Sequence, residues 1–232
     1  MLSPAAAEES SKPAPVTVIS QGYPGRNTKA ALRLLQKDVL PLHPDHVVVF
    51  LGMNDAMNSA ALIPLDQYVN NLGGIVDKLK ANGAKTVALV TLHPVIVEYL
   101  RQRHPEHPHV TDLQAHLASY NAAVEELARE KSLPLVDFRA LVEARGGAVI
   151  AEDSLIRCEK NGGGTDGVHL TPAGYQLLGE TVFATIGDRV APGETVVCFG
   201  DSLTYGVRVE GAGTVTGETY PAVLQRCFDQ RP

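Results

Sequence analysis

Five short runs of apolar, mostly β-branched residues punctuate the chain: VTVIS at 16–20, HVVVFLG at 46–52, KTVALVT at 85–91, LPLVDF at 133–138 and TVVCFG at 195–200. Their length and unbroken hydrophobicity predict strands buried on both faces of a sheet rather than amphipathic strands with one wet face. Between them the period changes. Ala31, Leu32, Leu35 and Val39 recur at helical spacing after a capping residue at Thr28 and run until Pro41 stops them. Similar spacing predicts helices from Asp66 to Asn82, closed by Gly83, and from Asp112 to Lys131. Thr171 and Pro172 supply a cap and a first-turn proline for a helix that runs to Ile186, and YPAVLQRCF at 220–228 closes the chain with a short one. Two stretches break the pattern, the proline- and histidine-rich EYLRQRHPEHPHVT at 98–111 and a long irregular segment that ends in NGGGTDGVH.

Strands that alternate with helices predict an α/β fold, a three-layer αβα sandwich around a five-stranded, mainly parallel sheet, because parallel neighbours need crossover connections. At 232 residues with 44% hydrophobic content the chain suffices for one domain, expected over 16–232, with a solvated tail at 1–15. A net charge of −6 and no Lys/Arg cluster argue against a nucleic-acid partner. The N-terminal residues have neither the cationic nor the apolar region of a signal peptide, and no run reaches the roughly 18 apolar residues of a membrane span. Cys158, Cys198 and Cys227 are odd in number and match no zinc or redox spacing, so the expectation is reduced thiols and a cytoplasmic location.

In an open α/β sheet ligands bind beyond the carboxyl ends of the strands, so the residues that follow each run matter most. Gly22 follows the first run, Asn54 the second and Ser202 the last, while Asp166 and His169 stand in the loop before the helix at 172–186. A serine hydroxyl becomes a competent nucleophile when a histidine takes its proton and a carboxylate orients that histidine. The amides of Ser202 and Gly22 and the side chain of Asn54 are candidate donors for the oxyanion. His93, after the third run, is a candidate for the substrate pocket, a packed loop histidine being the equal alternative.

These residues resemble the SGNH hydrolases, or GDSL esterases/lipases. Gly200-Asp201-Ser202-Leu203 is similar to the first block of that family, Gly22 to its glycine block, Gly52-Met53-Asn54-Asp55 to its G-x-N-D block, and Asp166-Gly167-Val168-His169 to its D-x-x-H block. The resemblance implies the flavodoxin-like SGNH fold, a Ser202–His169–Asp166 triad, an oxyanion hole of Ser202, Gly22 and Asn54, and no metal or organic cofactor. It departs in one respect: the family runs Ser, Gly, Asn, Asp, His, whereas this chain runs Gly, Asn, Asp, His, Ser. Placing residues 195–228 before residue 16 restores the family's order, so the chain reads as a circular permutant.

The expected activity is hydrolysis of a small-molecule ester with an acetyl or short acyl group, on a carbohydrate by preference. An acyltransferase with the same triad and a catalytically silent glycan-binding module are the alternatives. Asp55 and Asp201 are assigned to structure, since aspartate commonly ties turns. The cluster of His104, His107 and His109 lacks a defined ligand frame and reads as a solvated or lid-like insertion rather than a metal site. The G-x-S-x-G elbow and the P-loop pattern are both absent from the sequence. Substrate size falls to the loops at 56–65, 93–111 and 143–165.

Overall fold

The computed structural model describes residues 14–231; the tail expected at 1–15 lies, but for its last two residues, outside them. The five apolar runs form β1 (Thr17–Gly22), β2 (His46–Phe50), β3 (Thr86–Val90), β4 (Leu135–Val136) and β5 (Thr195–Gly200). All pair in parallel in the order β1-β5-β2-β3-β4. Every residue of β2 and β3 is buried, as expected for strands covered on both faces.

The helices are α1 (Thr28–Leu34), α2 (Met53–Met57), α3 (Leu65–Ala81), α4 (Val97–Arg103), α5 (Leu113–Glu130), α6 (Phe138–Glu143), α7 (Pro172–Ile186), α8 (Ser202–Tyr205) and α9 (Tyr220–Asp229). Along one face α1 packs on α3 and α3 on α5, while α7 packs on α9 along the other. Right-handed crossovers dictate this split. The steps β1 to β2, β2 to β3 and β3 to β4 run one way across the sheet, and the step from β4 through α7 to β5 runs back. The core lies between these layers, with Tyr68, Phe50, Phe138, Phe199, Leu35 and Ile75 fully enclosed.

Local chemistry differs from the sequence expectation in four places. Asn27, not Thr28, caps α1 by accepting from the Ala30 amide, and Thr28 is buried with its amide and hydroxyl bound to Asp55. The helical period continues past Leu34 as a π-helical turn, Leu35–Val39, which carries Leu35 and Val39 into the core. Part of the segment 98–111 is the helix α4: Tyr99 and Leu100 are buried, and the prolines act only after Arg103. The run at 133–138 gives a two-residue strand and then α6, because Asp137 accepts from the Ala140 amide and starts a helix there. The helix at 172–186 forms as expected, with Thr171 capping Gly174 and Pro172 in its first turn.

Candidate active site

The carboxyl ends of β1, β5 and β2 lie side by side, and the turns that leave them converge. After Gly200 the Asp201 side chain accepts from the Leu203 amide, which starts α8 and places Ser202 at its first residue. After β2, α2 carries Asn54. Asp166 and His169 come from the far side of the sheet on a loop pinned at both ends. There Arg157 N donates to His169 O at 2.8 Å, Gly167 N to Arg157 O at 2.9 Å, and Ile96 N to Gly167 O at 2.9 Å.

His169 Nε2 lies 3.0 Å from Ser202 Oγ, and His169 Nδ1 lies 2.9 and 3.1 Å from the two oxygens of Asp166. An ionised carboxylate can only accept, so Nδ1 carries the proton and Nε2 presents its lone pair to the serine hydroxyl. Asp166 Oδ1 also accepts from the amides of Val168 (3.0 Å) and His169 (2.8 Å), and Arg208 Nε stands 3.2 Å from Oδ2. Burial by itself raises the pKa of Asp166, but the His169 hydrogen bond and charge and these two amides outweigh it. They hold the carboxyl well below the usual carboxylate range.

Asn54 donates through Nδ2 to Asp201 Oδ2 at 2.9 Å and to Arg26 O at 3.2 Å. Asp201 is 1% exposed, and burial pushes its carboxyl up to about 6 against the opposing Leu203 amide. Asp55 is likewise pushed up to about 6 by burial, although Thr28 donates to it twice through its amide and once through its hydroxyl. Both aspartates are structural, as expected, but Asp201 also fixes the amide of Asn54.

The serine opens into a cavity of about 320 Å³ whose walls include Met53, Met57, Leu100, Val168 and Val207, with Asn54, His169, Arg103 and Gly25 among its polar and backbone elements. Its largely apolar wall suits an acyl chain and its few polar groups suit one carbonyl.

Two expected site residues are placed elsewhere. In β1 the amides of Thr17 and Tyr23 donate across to β5, to Glu194 O and Gly200 O, whereas Val18 N turns outward to Gln225 Oε1. The alternation of a strand therefore aims the Gly22 amide at the outer edge, away from the strand that carries Ser202. Gly22 is glycine for another reason: a Cβ there would come 2.2 Å from Tyr205 N, in α8. Gly25 lines the cavity instead, at φ +73 in a turn with open space around its Cα. Among the described residues neither its amide nor that of Ser202 has a backbone acceptor. His93 is also a correction. It is fully buried, edge-on to Phe50 and Phe138, with Nδ1 at 2.9 Å from Pro94 O, and it lies outside the cavity wall. Its burial lowers the imidazole to about 4.

His107 Nε2 binds Ala56 O at 2.9 Å, His104 Nδ1 binds Ser59 Oγ at 2.9 Å, and His109 stacks on His116, so these rings pack the insertion against α2. His104 reaches the cavity wall. Sequence reasoning missed Gly25, Arg103 and Arg208. The only signal for Gly25 was a second glycine three residues after Gly22, and the two arginines carried none, since their partner Asp166 lies 63 and 42 residues away in the chain.

A serine, histidine and carboxylate in hydrogen-bonded series at the carboxyl ends of the strands place the chain in the class of parallel α/β proteins that carry a Ser-His-Asp arrangement. Within that class the chain belongs to the GDSL-like lipase/acylhydrolase family, whose model matches residues 3–177. The matched span holds Asn54, Asp166 and His169 and stops before Ser202. The chain is 28% identical over 175 residues to a rice (Oryza sativa subsp. japonica) GDSL esterase/lipase, over 71% of this chain and 63% of that one. It therefore spans somewhat under two thirds of that relative. Among solved structures, the lipase/acylhydrolase of Enterococcus faecalis is 26% identical with a TM-score of 0.57, over 74% of this chain and 75% of the other. The acetylxylan esterase Axe2 of Geobacillus stearothermophilus has the same fold at 22% identity and a TM-score of 0.53, over 70% and 68%.

Proposed function

We propose that the chain is a serine esterase that hydrolyses small acyl esters, acetyl or short-chain, carried on a carbohydrate or similar alcohol. The observation that carries this reading is the hydrogen-bonded series Ser202–His169–Asp166 at 3.0 and 2.9 Å on the wall of an apolar cavity. Ser202 Oγ attacks the acyl carbon as its proton passes to His169 Nε2, and the carbonyl oxygen becomes an oxyanion. The amides of Ser202 and Gly25 and the Asn54 side chain receive it, Asn54 exchanging its longer contact to Arg26 O for the new one. The bond from carbon to the alcohol oxygen then breaks and His169 returns the proton to the leaving alcohol. Water repeats the sequence on the acyl-enzyme, which frees the acid and restores Ser202. Asp166 keeps its negative charge throughout and stabilises the imidazolium. The acetylxylan esterase Axe2, which shares the fold, supports a small acyl group.

The test is hydrolysis of 4-nitrophenyl acetate by the full chain and by Ser202→Ala, with fluorophosphonate labelling and mapping of the labelled residue. Activity and label are both expected to vanish in the variant; activity that survives the substitution rules out the mechanism.

The motif order supports a further reading, that the chain is a rotated form of the family's arrangement. Counting β5 first turns the order β1-β5-β2-β3-β4 into 2-1-3-4-5, the flavodoxin-like order. The described ends lie against the same connection: Ala14 Cβ packs near Gly193, and Arg231 Nη1 donates to Val190 O at 2.8 Å. A chain that begins at Glu194, with Arg231 joined through a short linker to Ala14, is expected to show the same far-UV circular dichroism and esterase rate. Failure of that chain to fold would count against the rotation.

A further inference from the structure

A second cleft, of about 500 Å³ and polar in character, is lined by Asp166 together with Tyr99, Gln102, Arg103, Thr165, Arg208 and the glycines 163 and 164. Arg103 lines both concavities, so the cleft continues the acyl cavity past the histidine–aspartate pair.

Two guanidinium groups, of Arg103 and Arg208, line the cleft, and a third, of Arg157, stands behind Arg208. Arg103 donates through Nη2 to the main-chain oxygen of Asp166, Arg208 reaches Asp166 Oδ2, and Arg157 donates through Nη1 to Arg208 O at 3.3 Å. Among the described residues Asp166 is the one carboxylate that pairs with any of them, and it already serves His169 and two amides. The Arg208 side chain is 58% exposed, and its nearest contact with Asp166 is through Nε. Its fork of η nitrogens has no protein acceptor among the described residues and faces an open polar space, the arrangement that suits bidentate recognition of an oxyanion.

Other features of the cleft agree. Arg208 holds φ +70, a left-handed conformation that is costly for a residue with a Cβ and that concentrates at ligand clamps. The main-chain amides of Gly164, Thr165 and Asp166 are successive and have no backbone acceptor among the described residues; runs of free amides in glycine-rich turns favour anions. Tyr99, 3% exposed, forms part of the wall, and its hydroxyl is buried beside the main chain of Glu159 without a partner of normal geometry.

We propose that this cleft binds an anionic oxygen group, of the phosphate, sulfate or carboxylate kind, on the alcohol portion of the ester. The proposal rests on the serine-esterase reading for its place in catalysis. The departing alcohol oxygen takes its proton from His169 Nε2, so the alcohol leaves on the histidine side. Its continuation runs past Arg103 toward Arg208, and the apolar wall of Met53 and Met57 is left to the acyl group.

Two measurements separate this proposal from the one it rests on. The first is calorimetric binding of glycerol 3-phosphate, glycerate and glycerol to the full chain carrying Ser202→Ala, which needs no catalysis. Glycerol 3-phosphate or glycerate is expected to bind at least thirtyfold more tightly than glycerol, and the stronger of the two tells a tetrahedral from a planar anion. The second compares kcat/KM for the acetyl esters of the same three alcohols. The same preference is expected, and Thr165→Glu and Arg208→Gln should each reduce it tenfold or more, with Arg208→Lys restoring part of it. Fluorophosphonate labelling of Ser202 checks that each variant is folded. Anion binding without hydrolysis of any ester would sink the esterase and leave the cleft standing. Equal hydrolysis of all three esters with no anion binding would overturn the cleft. A loss in Arg208→Gln that is equal for charged and neutral esters would reduce Arg208 to a positioning residue for Asp166 and overturn it as well.

Discussion

Replacing Asp166 with Asn keeps the shape of the side chain and changes which atoms can accept. Oδ1 receives the Val168 and His169 amides at 3.0 and 2.8 Å, so the amide oxygen of the new residue must stay at that position. Turning the side chain over would set its NH₂ against those two donors. The NH₂ therefore takes the place of Oδ2, where it meets the donor His169 Nδ1 and the positively charged Arg208 guanidinium. The oxygen that remains lies 3.1 Å from Nδ1 but already accepts from two amides, so His169 relieves the conflict by moving its proton from Nδ1 to Nε2, and Nε2–H can no longer accept the Ser202 proton at 3.0 Å. The negative charge that stabilises the imidazolium is also gone. Serine-hydrolase relays that lose this carboxylate slow by roughly 10³–10⁴ in kcat, or about 4–5.5 kcal/mol at about 1.4 kcal/mol per tenfold. KM should change little, because Asp166 does not face the acyl cavity. The assay is steady-state hydrolysis of 4-nitrophenyl acetate, with nitrogen NMR of His169 to read which ring nitrogen is protonated. Asp166→Asn with kcat within tenfold of the parent, or with Nδ1 still protonated, would refute this account of the relay.

Three other substitutions probe neighbouring parts of the argument. Asn54→Ala should lower kcat by about 10²–10³ with little change in KM, as expected for loss of one oxyanion donor; an equal rate would remove Asn54 from the hole. Gly22→Ala sets a Cβ 2.2 Å from Tyr205 N and must push α8, and with it Ser202. It should cost about 1–3 kcal/mol in urea unfolding and reduce activity, whereas Gly25→Ala meets no atom within 4 Å and bears only its positive φ; wild-type stability and rate in Gly22→Ala would contradict the close packing. His93 is lowered by burial from 6.5 to about 4, so the unfolded chain binds its proton first as pH falls. That stability is present above pH 6.5 and is lost toward pH 4. Between pH 7.5 and 4.5, the stability of the parent relative to His93→Phe should fall by about 2–3 kcal/mol. A difference that does not change with pH would show that His93 is not held neutral.

The layer architecture and most of the candidate site were legible along the chain because both depend on local pattern. A strand buried on both faces must be apolar throughout, as HVVVF is, and residues just past such strands are bound to lie at the sheet's carboxyl edge. Asn54 and Ser202 follow from that rule, and Asp166 and His169 from their three-residue spacing ahead of the helix at 172–186. The same reasoning assigned Gly22, and it failed there because which way an amide points depends on strand parity against β5, a chain partner more than 170 residues away. Helix α4 was hidden by prolines that act only beyond its end, and α6 by a run that reads as a strand until Asp137 caps it. His93 follows a strand like the others, but the neighbours that enclose it, Phe50 and Phe138, come from the end of β2 and the start of α6. The arginines that gather around Asp166 show the limit most plainly. Spacing can announce a relay whose parts lie three residues apart, whereas charges brought together from α4 and the segment after α8 become a site only when the sheet has closed and the two loops face each other.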